Sequence, residues 1–288
     1  MYENLILKEY GILETVTSTA EIAKLRENQI IGKVDFDKSK IVFNGKHNIL
    51  MTTPDSQRRE SVALLDTVIS FNGNNSVVFL GDSDSFYQIN LSLYHNSFCY
   101  FGADNYFNGM LTMICSEQCN IIIGDDCMFS SGIWIRTSDV HMIYDIDSLK
   151  RINNSKSVFI GDHVWVGQDA KLWKGTRVGS GAIIGADAFT AGKRIPSNTI
   201  WGGNPAKLIR SGVSFISRSG THAFTTFETE ALQECPEHHM AVYNFDESET
   251  EDFDAIESGF RKCDTMNKRV EYLDGIRMKK AKNRFYIG

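Results

Sequence analysis

Proline is scarce in this chain, with 4 residues in 288 against 23 glycines. That composition excludes collagen-like and proline-rich low-complexity readings. Long hydrophobic runs are missing as well. None approaches the roughly 20 residues a bilayer-spanning helix requires, so no integral membrane segment is expected. The opening stretch MYENLILKEYGILE has neither the basic nor the apolar region of a secretory signal, which makes a cytoplasmic location the expectation. Positive charge is in deficit, 30 Lys+Arg against 36 Asp+Glu, so a protein that tracks nucleic-acid phosphates is not expected. The 6 cysteines are too few for a disulfide framework in so long a chain and read as reduced thiols. Cys115 and Cys119 have no matching His or Cys pair nearby, so no metal site is assigned.

What is present is ample apolar content, 42% hydrophobic, for one large domain or two modest ones. Charge is unevenly placed. Glu228 to Glu257 holds 11 acidic residues and no Lys or Arg, while Arg261 to Arg284 holds 9 basic and 3 acidic ones. The simplest reading is that these two segments pair with each other or solvate helices; a docking site for a polyanion or a partner is the alternative.

A six-residue period organises the middle of the chain. Ile160, Val166, Leu172, Val178, Ile184, Thr190 and Pro196 follow one another at that spacing. Gly comes after four of them, and small residues such as Val164, Ala170, Ala182 and Ala188 recur four positions on. Ile123-Gly124, Phe129 and Ile135 repeat the pattern, with weaker echoes at Phe101-Gly102, Leu80-Gly81 and Ile31-Gly32. A period of six fits neither an α-helix nor an alternating strand. It fits a parallel β-helix in which each hexapeptide supplies one flat side and a turn, three to a coil.

The breaks in the period divide the chain. Residues 1–30 form an N-terminal segment with a short helical candidate at 19–25. Residues 31–122 read as irregular β coils, and 121–210 as the regular hexapeptide β-helix. Eighteen residues beyond Ile123 is His141, yet the next clean coil begins at Ile160, so residues 137–158 are a loop ejected from the solenoid. Long loops on a rigid scaffold tend to carry function. Residues 211–288 form a C-terminal extension. The helical spacing of Phe253, Ile256, Phe260, Met266, Val270, Leu273 and Ile276 gives one or two amphipathic helices there, able to pack across subunits.

With Gly124-Asp-Asp-Cys127, Thr137-Ser-Asp-Val-His141, Ile160-Gly-Asp-His-Val-Trp165-Val-Gly167 and Gly203-Asn-Pro-Ala-Lys207 in view, the chain resembles the hexapeptide-repeat acetyltransferases. It is similar to the maltose and galactoside O-acetyltransferases and closest in kind to the capsular sialic acid O-acetyltransferases. The firm match covers residues 121–210. The resemblance implies a left-handed parallel β-helix and a homotrimer with active sites at subunit interfaces. It also implies acetyl transfer from acetyl-CoA to a carbohydrate hydroxyl.

It further implies that His141 is the catalytic base. An alcohol is a poor nucleophile until a base near neutrality takes its proton, and an imidazole is suited to that work. Direct transfer needs no Ser or Cys nucleophile. Asp139 is the candidate to orient the imidazole, although its spacing also suits a turn. Trp165 would wall the pantetheine arm, Ala186 would let that arm lie against the main chain, and Lys193, Lys207 and Arg210 would hold the CoA phosphates. The chain departs from the usual Thr-x-x-His-Pro, being one residue longer and without the proline. The Asn expected to donate to the acetyl carbonyl is represented only by Asn108, after a register shift. Competing expectations are N-acetylation of an amino-sugar nucleotide, a non-catalytic β-helix scaffold, and a metal-dependent relative that would use His141 and His163.

Overall fold

The computed structural model describes residues 13–53, 60–217 and 220–288. Its body is a left-handed parallel β-helix, with two eight-stranded sheets and one six-stranded sheet closing a triangular prism. Each rung runs in the same order. Residues 121–136 show it: Ile121–Ile123 on the first face, Met128–Phe129 on the second, Trp134–Arg136 on the third. The rung 158–172 stacks directly above, pairing Ile123 with Ile160, Phe129 with Val166 and Ile135 with Leu172. The periodic residues therefore point inward as copies of one another, and the small residues four positions on are buried at the corners beside them.

The stacked side chains form one continuous core from Val16 to Ala206. Aromatic pairs such as Phe43–Phe71 and Phe107–Phe129 lie face to face within it, at 4.8 and 5.6 Å between centroids. Each such pair adds roughly 0.5–1.5 kcal/mol beyond the area it buries. The same three faces reach back through residues 31–122, where successive rungs are 28, 21 and 22 residues apart rather than 18. Two details of the repeat differ from the sequence expectation. The rung after Thr190 is one residue short, so Ile195, not Pro196, pairs with Val178 and is buried. At the other end, Ile31 pairs with Met51 and is exposed, while its neighbour Ile30 packs against the core.

The corner between the first and second faces is built from Gly124, Gly161 and Gly179. A Cβ at Gly124 would sit 2.6 Å from the Gly161 carbonyl carbon, so only glycine lets these turns stack. Aspartates follow two of the glycines and knit the turns together. Asp162 Oδ1 accepts from the Asp125 amide at 2.7 Å, and Asp125 Oδ1 accepts from the Ala103 amide at 2.8 Å.

The C-terminal extension folds back over this scaffold. Helices Phe253–Arg261 and Met266–Met278 lay Phe253, Ile256, Phe260, Leu273 and Ile276 against the outward side chains of the first face, among them Phe98, Tyr100, Ile122 and Phe159. The expectation of helices packing across subunits is thus corrected. Their apolar stripe is buried on their own chain, because the outward positions of the first face are themselves aromatic and apolar. Charge follows the same pattern in part. Glu251 pairs with Lys279 and Glu257 with Arg261, but other members of the two segments grip the solenoid, as in Asp254 with Arg177 and Arg284 with Asp162.

Candidate functional site

Thr137 begins the ejected loop at the corner between the third and first faces. The loop is closed at its base, where the Lys156 amide donates to the Thr137 carbonyl at 3.0 Å. Its course is fixed by three polar pins. Arg151 forks onto Glu117 at 2.8 and 3.0 Å, and Ser155 donates to the same carboxylate at 2.5 Å. Asn153 Nδ2 donates to the His141 carbonyl at 2.8 Å and to Asp139 Oδ2 at 2.9 Å, while its Oδ1 accepts from the Ile143 amide. Lys174, from the next rung, donates to Asp139 Oδ2 at 2.5 Å and to the Asn153 carbonyl at 3.1 Å.

His141 is exposed at the rim of this frame. Asp139 does not meet its ring among the described hydrogen bonds; the carboxylate goes instead to Lys174 and Asn153, and Asn153 then holds the His141 backbone. The expected role of Asp139 is therefore corrected from orienting an imidazole to fixing the backbone that carries it. The Lys174 ammonium, aided by Asn153, holds the Asp139 carboxyl below the usual carboxylate range, and Arg151 does the same for Glu117. Carboxylates lowered in this way keep their pins through neutral pH. They release them only as pH falls below the ordinary carboxylate range.

Losing Lys174 should have a kinetic effect rather than a global one. Under the acetyl-transfer reading that the resemblance implies, Lys174→Met is expected to lower kcat by roughly tenfold to a hundredfold through misplacement of the loop, with the KM for the donor and the melting temperature little changed. Steady-state kinetics beside a thermal melt check this; an unchanged kcat would show that the pin is dispensable.

The other expected site residues fall into two groups. Trp165 lies on the second face, 38% exposed, between Met128 below and Ile183 above. Asn108 follows the Tyr106–Phe107 strand of that face two rungs lower and is exposed. Ala186 is exposed just past the Ile183–Ile184 strand, and Lys207 and Arg210 sit on the antiparallel strand Lys207–Ser211 that finishes the second face. Gly167, Gly185 and Gly202 follow the in-register residues Val166, Ile184 and Trp201; Gly167 is buried, Ile209 lies over Gly202, and Gly185 is partly exposed beside Ala186. Lys193, in contrast, precedes the Arg194–Ile195 strand at the third-to-first corner, the corner that carries the His141 loop.

In a triangular prism that corner is opposite the second face. One chain therefore places His141 and Lys193 on one side, and Trp165, Asn108, Ala186, Lys207 and Arg210 on the other. The loop is strongly apolar where it meets solvent. Val140, Met142, Leu149 and Ile152 are exposed, and Ile146 is 88% exposed. The second face likewise presents Tyr106, Trp165, Leu208 and Ile209.

His163, the other candidate metal ligand, is a strut. Its Nδ1 meets Asp126 Oδ2 at 2.7 Å, its Nε2 meets the Phe215 carbonyl at 2.9 Å, and its ring stacks on Phe215 at 4.0 Å. Both nitrogens are occupied, and the bonds tie the start of the C-terminal extension beside Trp165. The Cys115 thiol is buried and donates to the Cys119 carbonyl, and burial pushes its pKa up. Among the described residues no group of three or more His, Cys, Asp or Glu side chains is arranged to hold a metal ion. Likewise, no helix among them is long and apolar enough to cross a membrane.

No family model matches the chain. Curated relatives do. The polysialic acid O-acetyltransferase of Escherichia coli O1:K1 / APEC is 36% identical over 100 residues, 35% of this chain and 32% of that protein. The polysialic acid O-acetyltransferase of Neisseria meningitidis is 32% identical over 132 residues, 38% of this chain and 60% of its own length. Among solved structures, that of the polySia specific acetyltransferase NeuO superposes with a TM-score of 0.60 at 28% identity, covering 72% of this chain and 93% of that one. The chain is thus similar in part of its sequence to polysialic acid O-acetyltransferases, and in fold to the polySia specific acetyltransferase. The chain spans 32% of the length of the first of these curated relatives and 60% of the second. Lys174, Asn153 and the His163–Phe215 tie are the parts the sequence did not reveal. Their partners are 35, 12 and 52 residues away, and no local pattern marks them.

Proposed function

We propose that the protein is an acetyl-CoA-dependent O-acetyltransferase. Its acceptor is a hydroxyl of a capsular or surface polysaccharide, with polymers of sialic acid the first candidates. The relatives whose names carry polysialic acid support the acceptor class. The observation that carries the site is the division just described: a base on one corner and an aromatic wall on the opposite face. Neither half is a site alone. A homotrimer in which the apolar loop of one chain crosses onto the second face of the next brings them together and buries both apolar surfaces.

In that arrangement His141 accepts the proton of the acceptor hydroxyl as its oxygen attacks the acetyl carbonyl, and then returns the proton to the departing sulfur. Lys174, Asp139 and Asn153 hold the His141 backbone while this happens. Gly185 and exposed Ala186 let the thin arm of the donor lie against the main chain, and Trp165 offers it a flat apolar side. Lys207 and Arg210 on the same face, with Lys193 from the loop-bearing corner, suit the donor's phosphates. Asn108 is the side-chain donor placed on the Trp165 side for the acetyl oxygen.

The activity is tested by incubating purified protein with acetyl-CoA and a panel of mono- and polysaccharides while following free thiol. Acceptor-dependent thiol release with sialic acid polymers, and acetyl esters on the recovered polymer, is the expected result. Release only with amino-sugar nucleotides, or none with any acceptor, would contradict the reading.

A further inference from the structure

The third face carries a cluster of basic and aromatic side chains that the transfer chemistry does not use. On its outward side Trp134, Lys171 and Phe189 stand in one column on successive rungs. Arg136 and Trp173 stand in the next column, with the guanidinium 5.8 Å from the indole centroid and Trp173 in turn 5.5 Å from Phe189. Rungs repeat at about 4.8 Å, so the cluster is a flat platform about 10 Å long. It adjoins the catalytic loop along one edge: Arg136 precedes Thr137, and Lys174, which pins Asp139, follows Trp173 on the next rung.

Arg136 is the anomaly. Its Nε is buried and, among the described residues, has no hydrogen-bond partner; the guanidinium lies over Trp173, and Asp139 is near enough to feel its charge without a direct ion pair between them. Buried polar atoms are rarely left so, and an arginine is the residue built to take a carboxylate with two parallel bonds. Lys171 adds a second cation. Its ammonium gives one bond to the Asp169 carbonyl at 2.9 Å and has further donors to offer. Exposed Trp134 and half-buried Trp173 and Phe189 supply flat apolar walls of the size of a sugar ring.

We infer that this platform is the acceptor subsite that reads the carboxylate of an acidic sugar: Arg136 holds the acid group, Lys171 supports it, and Trp134 and Trp173 carry the ring. The inference rests on the acetyltransferase reading and names the feature of the acceptor that the enzyme selects. Neutral polysaccharides offer the guanidinium no carboxylate, so selection works by the missing charge-assisted bonds.

The competing occupant is the donor, whose adenine and phosphates also offer a flat ring and negative charge, and the test separates the two. Binding of polysialic acid and of carboxyl-reduced polysialic acid is measured by calorimetry for the wild type and for Arg136→Met, with the KM for acetyl-CoA measured in parallel. Arg136→Met should weaken binding of the acidic polymer at least tenfold, about 1.4 kcal/mol. It should leave the already weak binding of the reduced polymer and the KM for acetyl-CoA unchanged. Arg136→Lys, which keeps the charge without the fork, should fall between and controls for folding. A raised KM for acetyl-CoA with unaltered polymer binding would assign the platform to the donor and overturn the inference. So would equal polymer binding by wild type and both variants. A wild type that binds neither polymer yet releases thiol with another acceptor would instead overturn the sialic acid reading beneath it.

Discussion

His141→Ala is expected to lower acetyl transfer by roughly 10² to 10⁴-fold, the usual contribution of a positioned general base, without lowering the melting temperature. The second half of that expectation comes from the structure. The imidazole is exposed, and the loop is held by the His141 carbonyl, not by its ring. Removing the ring therefore leaves Asn153, Asp139 and Lys174 in place. Thiol release under saturating substrates, read beside a thermal melt, separates loss of chemistry from loss of fold. Retained turnover in a fully folded variant would take His141 out of the mechanism.

The largest effect on stability is expected at Arg284, far from that loop. Its side chain is 1% exposed and closes the glycine corner of the solenoid. Nε and one terminal nitrogen grip Asp162 at 2.8 and 2.7 Å, and Asp125 is 2.9 Å away. The other terminal nitrogen donates to the carbonyls of Ile276 and Lys279, which cap the last helix. Burial works against the charge, but the two carboxylates more than offset it, so the pKa of Arg284 is raised and the cation persists at all ordinary pH. Arg284→Met leaves two carboxylates facing each other in a buried corner without their counter-ion. Breaking a buried pair by removing one partner costs about 3–5 kcal/mol. Phe285 and Ile287, whose carbonyls accept from the Ser180 and Ser197 amides, should then come away with the helices. Denaturant unfolding is expected to show that loss, with proteolysis starting in residues 250–288. A variant as stable as the wild type would show that the helices hold to the first face by their apolar contacts alone.

The sequence showed some of this plainly and other parts not at all, for physical reasons. Where every rung is 18 residues, identical inward positions recur at fixed spacing and the solenoid can be read from Ile160 to Thr190 by eye. Below Ile121 the rungs lengthen to 21, 22 and 28 residues, and the same inward stacking leaves no constant period. The loop was visible because a break in a strict repeat is itself a signal, and the two helices because Phe253, Ile256 and Phe260 keep helical spacing. Two kinds of information were out of reach. One was which face the helices cover, since that depends on aromatic residues such as Phe98 and Phe159 that read simply as strand. The other was the partner of each charged side chain. Asp139 looked like the neighbour of an imidazole two residues away, yet a lysine 35 residues on lies closer, because the coil folds the next rung over the loop.

The division of the site between two chains is tested most directly by mixing two damaged proteins. His141→Ala lacks the base and Trp165→Ala lacks the wall, and each alone should be nearly inactive at limiting acetyl-CoA. After co-refolding at equal amounts, interfaces joining the loop of a Trp165→Ala chain to the second face of a His141→Ala chain are complete. Activity should return to about a quarter of the wild-type rate, the fraction random mixing in a closed ring provides. No recovery from mixed assemblies shown to contain both chains would place His141 and Trp165 in separate sites.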